Sequence, residues 1–146
     1  MMRMTFHTDL GFRTLVYLAS AAPNGATIQQ IAEAYDVSEN HLRKVTLQLT
    51  KIGLVHSTRG KGGGLRLAVD PSKISLGWAM RKLEPDFAIV ECMGSEPHKC
   101  VINGSCGLQS IFTEALSAWF MVLDGYTLSD AIKGSRRLNR LLKIPA

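Results

Sequence analysis

The residues best suited to chemistry are the three cysteines of the chain, Cys92, Cys100 and Cys106. Seven residues separate the first two and five separate the last two, and both intervals are rich in residues that favour turns. Three thiolates on such a loop can converge on one point. A helical pattern begins at Gly107, so Cys106 lies at a helix N-terminus, where the dipole favours the thiolate that binds metal.

Three kinds of site fit these cysteines. A disulfide would leave one thiol over, and nothing else in the sequence indicates an oxidising compartment. Zinc held by the three cysteines and His98 is an alternative, although structural zinc sites usually have shorter cysteine spacings. An iron–sulfur cluster accepts longer and less regular spacings. The stretch favours the cluster and leaves the other two readings open.

A second group of residues is suited to binding a polyanion. Between Glu39 and Asp70 the chain has no acidic residue, but it has six lysines and arginines. A stretch of a single sign is typical of a nucleic-acid surface, and the alternative is a solvated basic face. The pattern of elements within the stretch favours the first interpretation.

This pattern is a helix-turn-helix followed by a hairpin. Thr27 and Gln30 form a capping-box pattern at the start of one helix, Ser38 is placed to cap the next, and Gly53 is placed to end it. The second helix is polar and basic on its outer faces, as in a recognition helix. Strands at 54–57 and 65–69 flank a cationic glycine-rich tip, which predicts a wing. The glycines precede a strand and lack the GxxxxGK[ST] pattern, so they do not predict a nucleotide site.

The residues expected to contact DNA lie on this helix and on the wing tip. Arginine and asparagine can read base edges in the major groove, while the wing can approach the minor groove or phosphates. The glycines of the tip allow the backbone to come close to the duplex. The candidates are Ser38, Asn40, His41, Arg43, Lys44, Gln48, Arg59, Lys61, Gly62 and Gly63.

Three further helices must position these groups. Thr8 is expected to cap a helix that runs to about Ala21, and Ser75 to cap one that ends before Pro85. The helix from Gly107 to Asp124 has an apolar seam with steps of four and three residues. This seam predicts a twofold dimer, the alternative being a core helix. A dimer predicts an inverted-repeat operator.

Length and composition set the wider limits. At 146 residues, of which 46% are hydrophobic, the chain is expected to form one domain with an appended element. We predict a DNA-binding unit at 1–84, a cysteine loop at 85–106, and a dimerisation helix with a tail at 107–146. The fold class expected is mainly α with a small β-hairpin, a winged helix-turn-helix. No membrane span or signal peptide is expected, which favours the cytoplasm.

Several stretches carry a family resemblance: MTFHTDLGFRTLVYLA, VSENHLRKVTLQL, RGKGGGLRLA, RKLEP, the three cysteines and LDGYTLSDAI. With these, nearly the whole chain resembles the Rrf-type bacterial winged-helix regulators. Within the family it is most similar to the repressors that sense nitric oxide. The resemblance implies an iron–sulfur cluster on Cys92, Cys100 and Cys106, with four irons favoured over two. It also implies that nitric oxide releases the protein from DNA.

The resemblance leaves the fourth ligand open. It implies Asp9 from the partner subunit, whereas Asp9 is also a favourable charge in a first helical turn. His98 is an alternative ligand. The first cysteine interval is longer than in many relatives, and Gln109 stands where a sister group of iron–sulfur regulators has a ligating histidine. A regulator of other genes, based on a cluster or on metal-free redox thiols, is the rival function. No catalytic activity is expected, because a Cys–His98 pair would lack an orienting third group.

Overall fold

Helices dominate the fold, with one antiparallel hairpin among them. The computed structural model describes residues 3–134 and 136–145. The elements are α1 (Phe6–Ser20), α2 (Ile28–Tyr35), α3 (Glu39–Lys51), β1 (Val55–Thr58), β2 (Gly64–Leu67), α4 (Leu76–Leu83), α5 (Leu108–Asp124), α6 (Leu128–Ala131) and α7 (Arg136–Leu141). The predicted fold class is confirmed. In the described part of the chain, no helix is both long enough and apolar enough to cross a membrane.

The start of α1 differs from its prediction. The cap is Thr5, whose hydroxyl accepts the N–H of Thr8 at 3.2 Å, while Thr8 itself is buried. Glu84, at the end of α4, accepts both the N–H and the hydroxyl of Thr5, at 3.0 and 3.1 Å. This tertiary contact favours Thr5 over Thr8 as the N-cap of α1, because it supplies hydrogen-bond partners both to Thr5 and to the buried carboxylate of Glu84.

The helix-turn-helix forms as its caps predict. The capping box of Thr27 and Gln30 is present, and the hydroxyl of Ser38 accepts the N–H of Asn40 at 3.2 Å. Between them Asp36 adopts a left-handed conformation with φ of 51°, which turns the chain from α2 into α3. The faces that meet are apolar and are buried in the core. They include Ile31, Leu42, Val45 and Leu49.

The hairpin is attached to the start of α2. Val55 pairs with Leu67 and Thr58 with Gly64, so the two strands are offset by one or two residues from the prediction. Leu65 is buried and exchanges backbone hydrogen bonds of 2.7 and 3.0 Å with Ala26. This bridge fixes the direction of the wing relative to α2 and α3.

α5 packs against α4 at a very close approach. A Cβ at Gly77 would lie 1.9 Å from Oδ1 of Asp124, so only glycine fits there. Arg81 of α4 binds both carboxylate oxygens of Asp124, at 2.6 and 2.9 Å, and lies 4.0 Å above the ring of Phe120. No residue of α5 is fully buried. The helix is therefore held along one side, and much of its apolar surface is exposed.

Candidate metal site and nucleic-acid interface

The N-terminal half of α3 displays the predicted polar and basic residues. Asn40, His41, Arg43 and Lys44 are all exposed. Arg43 contacts Glu39 at 2.8 Å and the side-chain oxygen of Asn40 at 3.1 Å. Exposed pairs of this spacing are worth about 0.3–0.5 kcal/mol, so Arg43 can leave them for a base or phosphate at small cost.

Gln48, whose contact with DNA stays a prediction, is half-buried and is hydrogen-bonded within the fold. Its Nε2 donates to the carbonyl of Lys82 at 2.7 Å, and its Oε1 lies 2.5 Å from Nε2 of His7. The half-buried amide therefore connects α3 to α1 and α4, which engages the groups that would read a base. A sequence signal existed, because position 48 directly precedes buried Leu49 at the edge of the apolar face.

The wing loop displays its cations on a tight turn. Gly60 and Gly62 have φ of 92° and 76°, values that favour glycine. A Cβ at Gly63 would lie 2.4 Å from the carbonyl oxygen of Thr58. Arg59, Lys61 and Gly62 are exposed, and neither cation pairs with an acid among the described residues. The loop therefore offers two free charges and backbone that can approach closely.

The three cysteines lie along the segment between α4 and α5. Cys92 is half-buried in a single 3₁₀ turn, Glu91–Met93, Cys100 is exposed, and half-buried Cys106 precedes α5. All three thiols are free. The side chain of Gln109 donates to the carbonyl of Cys92 at 3.0 Å. This bond ties the first cysteine to the first turn of α5, close in sequence to the third.

The donor set suits a cluster in its chemistry, because it offers three thiols that are free of disulfides. The described residues nevertheless include no group of three or more His, Cys, Asp or Glu side chains that could hold a metal ion. The predicted convergence of the thiols therefore remains a prediction.

The two candidates for a fourth ligand lie in different parts of the chain. Asp9 is in the first turn of α1, as predicted, and its carboxylate contacts Arg13 at 2.8 Å. His98 is half-buried in the cysteine loop. Its Nδ1 is buried and has no hydrogen-bond partner within the described part of the chain. A buried ring nitrogen without a partner is unfavourable unless something binds it, which keeps His98 a candidate.

Comparison with known proteins places this geometry in context. Residues 4–134 match the family model described as Rrf2, iron-dependent transcriptional regulator. The HTH-type transcriptional regulator NsrR of Bacillus subtilis is 45% identical over 144 residues, which cover 98% of this chain and 99% of that protein.

Two solved structures have a similar fold. The T. potens IscR structure superposes with a TM-score of 0.72 at 28% identity, covering 94% of this chain and 90% of that one. The structure of CymR, the global cysteine regulator of B. subtilis, superposes with a TM-score of 0.73 at 25% identity, covering 92% of this chain and 99% of that one. In both comparisons the likeness covers more than nine tenths of this chain.

Proposed function

We propose that this chain, which belongs to the Rrf2 family of transcriptional regulators, is a dimeric repressor. Its affinity for DNA would depend on an iron–sulfur cluster and on nitric oxide. The observation that carries this proposal is one chain that combines an exposed basic recognition helix and wing with three free thiols beside a long apolar helix. The similarity to the HTH-type transcriptional regulator NsrR supports the part of the proposal that concerns DNA.

DNA binding rests on α3 and the wing. Asn40, Arg43 and Lys44 are exposed at the start of α3, where a recognition helix contacts base edges in the major groove. Arg59 and Lys61 supply phosphate or minor-groove contacts beside it. Two copies related by a twofold axis would read an inverted repeat with half-sites about one helical turn apart, or a multiple of it.

Dimerisation rests on α5. Its exposed residues include Ile111, Trp119 and Val122, with 58%, 40% and 60% of their surface accessible. A groove of about 760 Å³ beside the helix is lined by Phe87, Leu116 and Trp119, among others. A second copy of α5 would cover this apolar surface, and contiguous exposed apolar surface often marks a protein–protein interface.

The cluster would be held by Cys92, Cys100 and Cys106, with Asp9 of the partner or His98 completing the ligation. When bound, it would supply iron that reacts with nitric oxide. The chain's own contacts connect Asp9 to DNA recognition, because neighbouring residues of α1 touch α3. Phe6 packs edge-on against His41 with ring centroids 5.5 Å apart, and His7 contacts Gln48. A movement of the first turn of α1 would therefore reach the recognition helix.

The test is operator binding by protein purified without oxygen. We expect a coloured, iron-containing protein that binds an inverted-repeat promoter fragment and loses this binding after stoichiometric nitric oxide at fixed salt. Protein stripped of iron by a chelator is the control for loss of the cluster. Equal binding by the coloured, nitrosylated and iron-free forms would overturn the sensing proposal and leave DNA binding intact.

The second candidate is a metal-free thiol-redox regulator. The arrangement of the cysteines favours it, because the potential metal ligands among the described residues do not converge on one point and Cys100 is exposed. An exposed thiol is open to oxidants. Protein purified without oxygen that has no visible absorbance, but whose operator binding responds to a disulfide-forming oxidant, would establish this alternative.

A further inference from the structure

The C-terminal tail is a cationic segment that the proposed DNA interface does not use. After Asp130 the chain contains five lysines and arginines and no acid. α7 is basic on one face and apolar on the other, because Arg136, Arg137 and Arg140 are exposed while Leu138 packs on the core. None of the three arginines forms an ion pair with an acid in the described residues.

The tail is docked on the DNA-binding half of the molecule. Leu142 is only 6% exposed and belongs to the same core as the helix-turn-helix, and Ile144 packs against that core. Lys143 adopts a left-handed conformation with φ of 54°, and the N–H of Ile144 bonds to the carbonyl of Asn139 at 2.9 Å. The segment after α7 therefore turns back onto the core, which fixes the helix in place.

The docked tail lies beside the wing. A cavity of about 540 Å³ is lined on one side by Asn139, Ile144 and Pro145 and on the other by the turn between α1 and α2 and by Gly63 of the wing loop. This cavity places α7, which carries the three exposed arginines, close to the wing loop. The wing loop and the tail are therefore two cationic segments on neighbouring parts of the fold.

We propose that α7 is a third DNA-contacting element, in which Arg136, Arg137 and Arg140 bind backbone phosphates of the duplex beyond the wing. This proposal rests on the proposed function, because it extends the same interface outward along the operator. Arginine suits the role, since its guanidinium group binds phosphate oxygens through two hydrogen bonds. Contacts of this kind add affinity without sequence preference.

The test compares the wild-type dimer with two triple variants. In one, Arg136, Arg137 and Arg140 are changed to alanine. In the other they are changed to lysine, which keeps the charge. Each phosphate contact that is lost reduces the slope of log affinity against log salt by about 0.9. We expect the alanine variant to have a slope shallower by about 2–5 and operator affinity at least about tenfold weaker at 0.15 M salt. The lysine variant should keep most of the wild-type slope.

Two further readouts separate phosphate contact from a change of fold. The affinity of the alanine variant should fall by the same factor for an unrelated duplex as for the operator, and its melting temperature should be unchanged. Wild-type binding should also tighten when the duplex is lengthened beyond the half-sites, whereas binding by the alanine variant should not. Equal slopes for all three proteins on the long duplex would overturn the inference while leaving the proposed function in place. A wild type without preference for the inverted repeat would overturn the proposed function, and the slopes on the unrelated duplex would still decide the role of α7.

Discussion

Cys100 is the residue that best separates cluster binding from folding, because it is exposed and has no part in the core. We expect Cys100→Ala to remain a folded dimer, with a change in stability within about 0.5 kcal/mol. Purified without oxygen, it should be colourless and should bind the operator poorly. Absorbance, iron content and operator titration measure the three properties. Ser105→Ala, a neighbouring change in the same loop, should stay coloured. Full colour and full binding by Cys100→Ala would remove this cysteine from the ligand set.

Gln48 is a second informative residue, because its amide bonds to two other helices. Gln48→Ala leaves the Lys82 carbonyl and the His7 ring without these contacts, and one net hydrogen bond is worth about 0.5–1.5 kcal/mol. We expect the free energy of unfolding, measured by urea titration, to fall by about 1–3 kcal/mol. Gln29→Ala, on the exposed face of α2, is the matched control and should change the free energy of unfolding by less than about 0.5 kcal/mol. If the stability is unchanged and the preference for one operator base is relaxed, Gln48 contacts that base in the major groove.

Contacts between residues far apart in the sequence could not be predicted. Gln48 meets groups 41 and 34 positions away, and Glu84 reaches Thr5 across 79 positions. The position of Gln48 at the edge of the apolar face indicates partial burial, but no local pattern identifies partners so distant in sequence. The caps at Thr27, Ser38 and Ser75 were predictable because a cap satisfies N–H groups only two or three residues onward. The cysteine spacing indicated a loop, but turn propensity alone does not fix where three thiols on it lie.

Among the elements, α6 is held by an ionised carboxylate that links it to the start of α4. Asp130 accepts the N–H and hydroxyl of Thr127 at 2.8 and 3.0 Å and also contacts Lys133. Thr127 in turn bridges to Ser75 before α4. The Lys133 ammonium, followed by the Thr127 hydrogen bonds, lowers the pKa of Asp130 to about 2.

This lowered pKa predicts a pH-dependent contribution to stability. An unfolded aspartate has a pKa of about 3.9, so the ionised carboxylate stabilises the fold fully above about pH 4. The contribution is lost as the pH falls toward about 2. We expect Asp130→Asn to melt below the wild type from pH 4 to 7, with the two melting temperatures converging between pH 4 and 2. Lys133→Met should remove much of this pH dependence. A melting difference that is the same at pH 2 and pH 7 would exclude this role for the charge.

For the whole molecule, the exposed face of α5 predicts the state of assembly. Val122, 60% exposed, lies on the predicted seam, and a carboxylate buried there without a partner would cost several kcal/mol. We expect Val122→Glu to be a folded monomer by light scattering and to lose most of its affinity for a two-half-site operator. Ser117→Glu, on the opposite face of the helix, should remain dimeric. A dimeric Val122→Glu protein would place the interface on another surface.

The division of the molecule into units at 84 and 106 stays a prediction. Leu128 of α6 is fully buried, and it shares one core with Leu10 of α1 and with Leu142 near the C-terminus. The segment after α5 therefore returns to the DNA-binding half. Among the described residues, those of α5 and of the cysteine loop contribute nothing to that core. We expect a signal from a ligand or a partner to enter there.

The contact between Gly77 and Asp124 has a consequence for the evolution of this protein. A methyl group on α4 and a carboxylate on α5 cannot share a space in which they would be 1.9 Å apart. A lineage that gains a bulkier residue at position 77 should therefore lose the acid at position 124, and an arginine at position 81 would then no longer have this carboxylate to bind. These three positions are expected to vary as a correlated set among homologues, even though two of them are more than forty residues from the third along the chain.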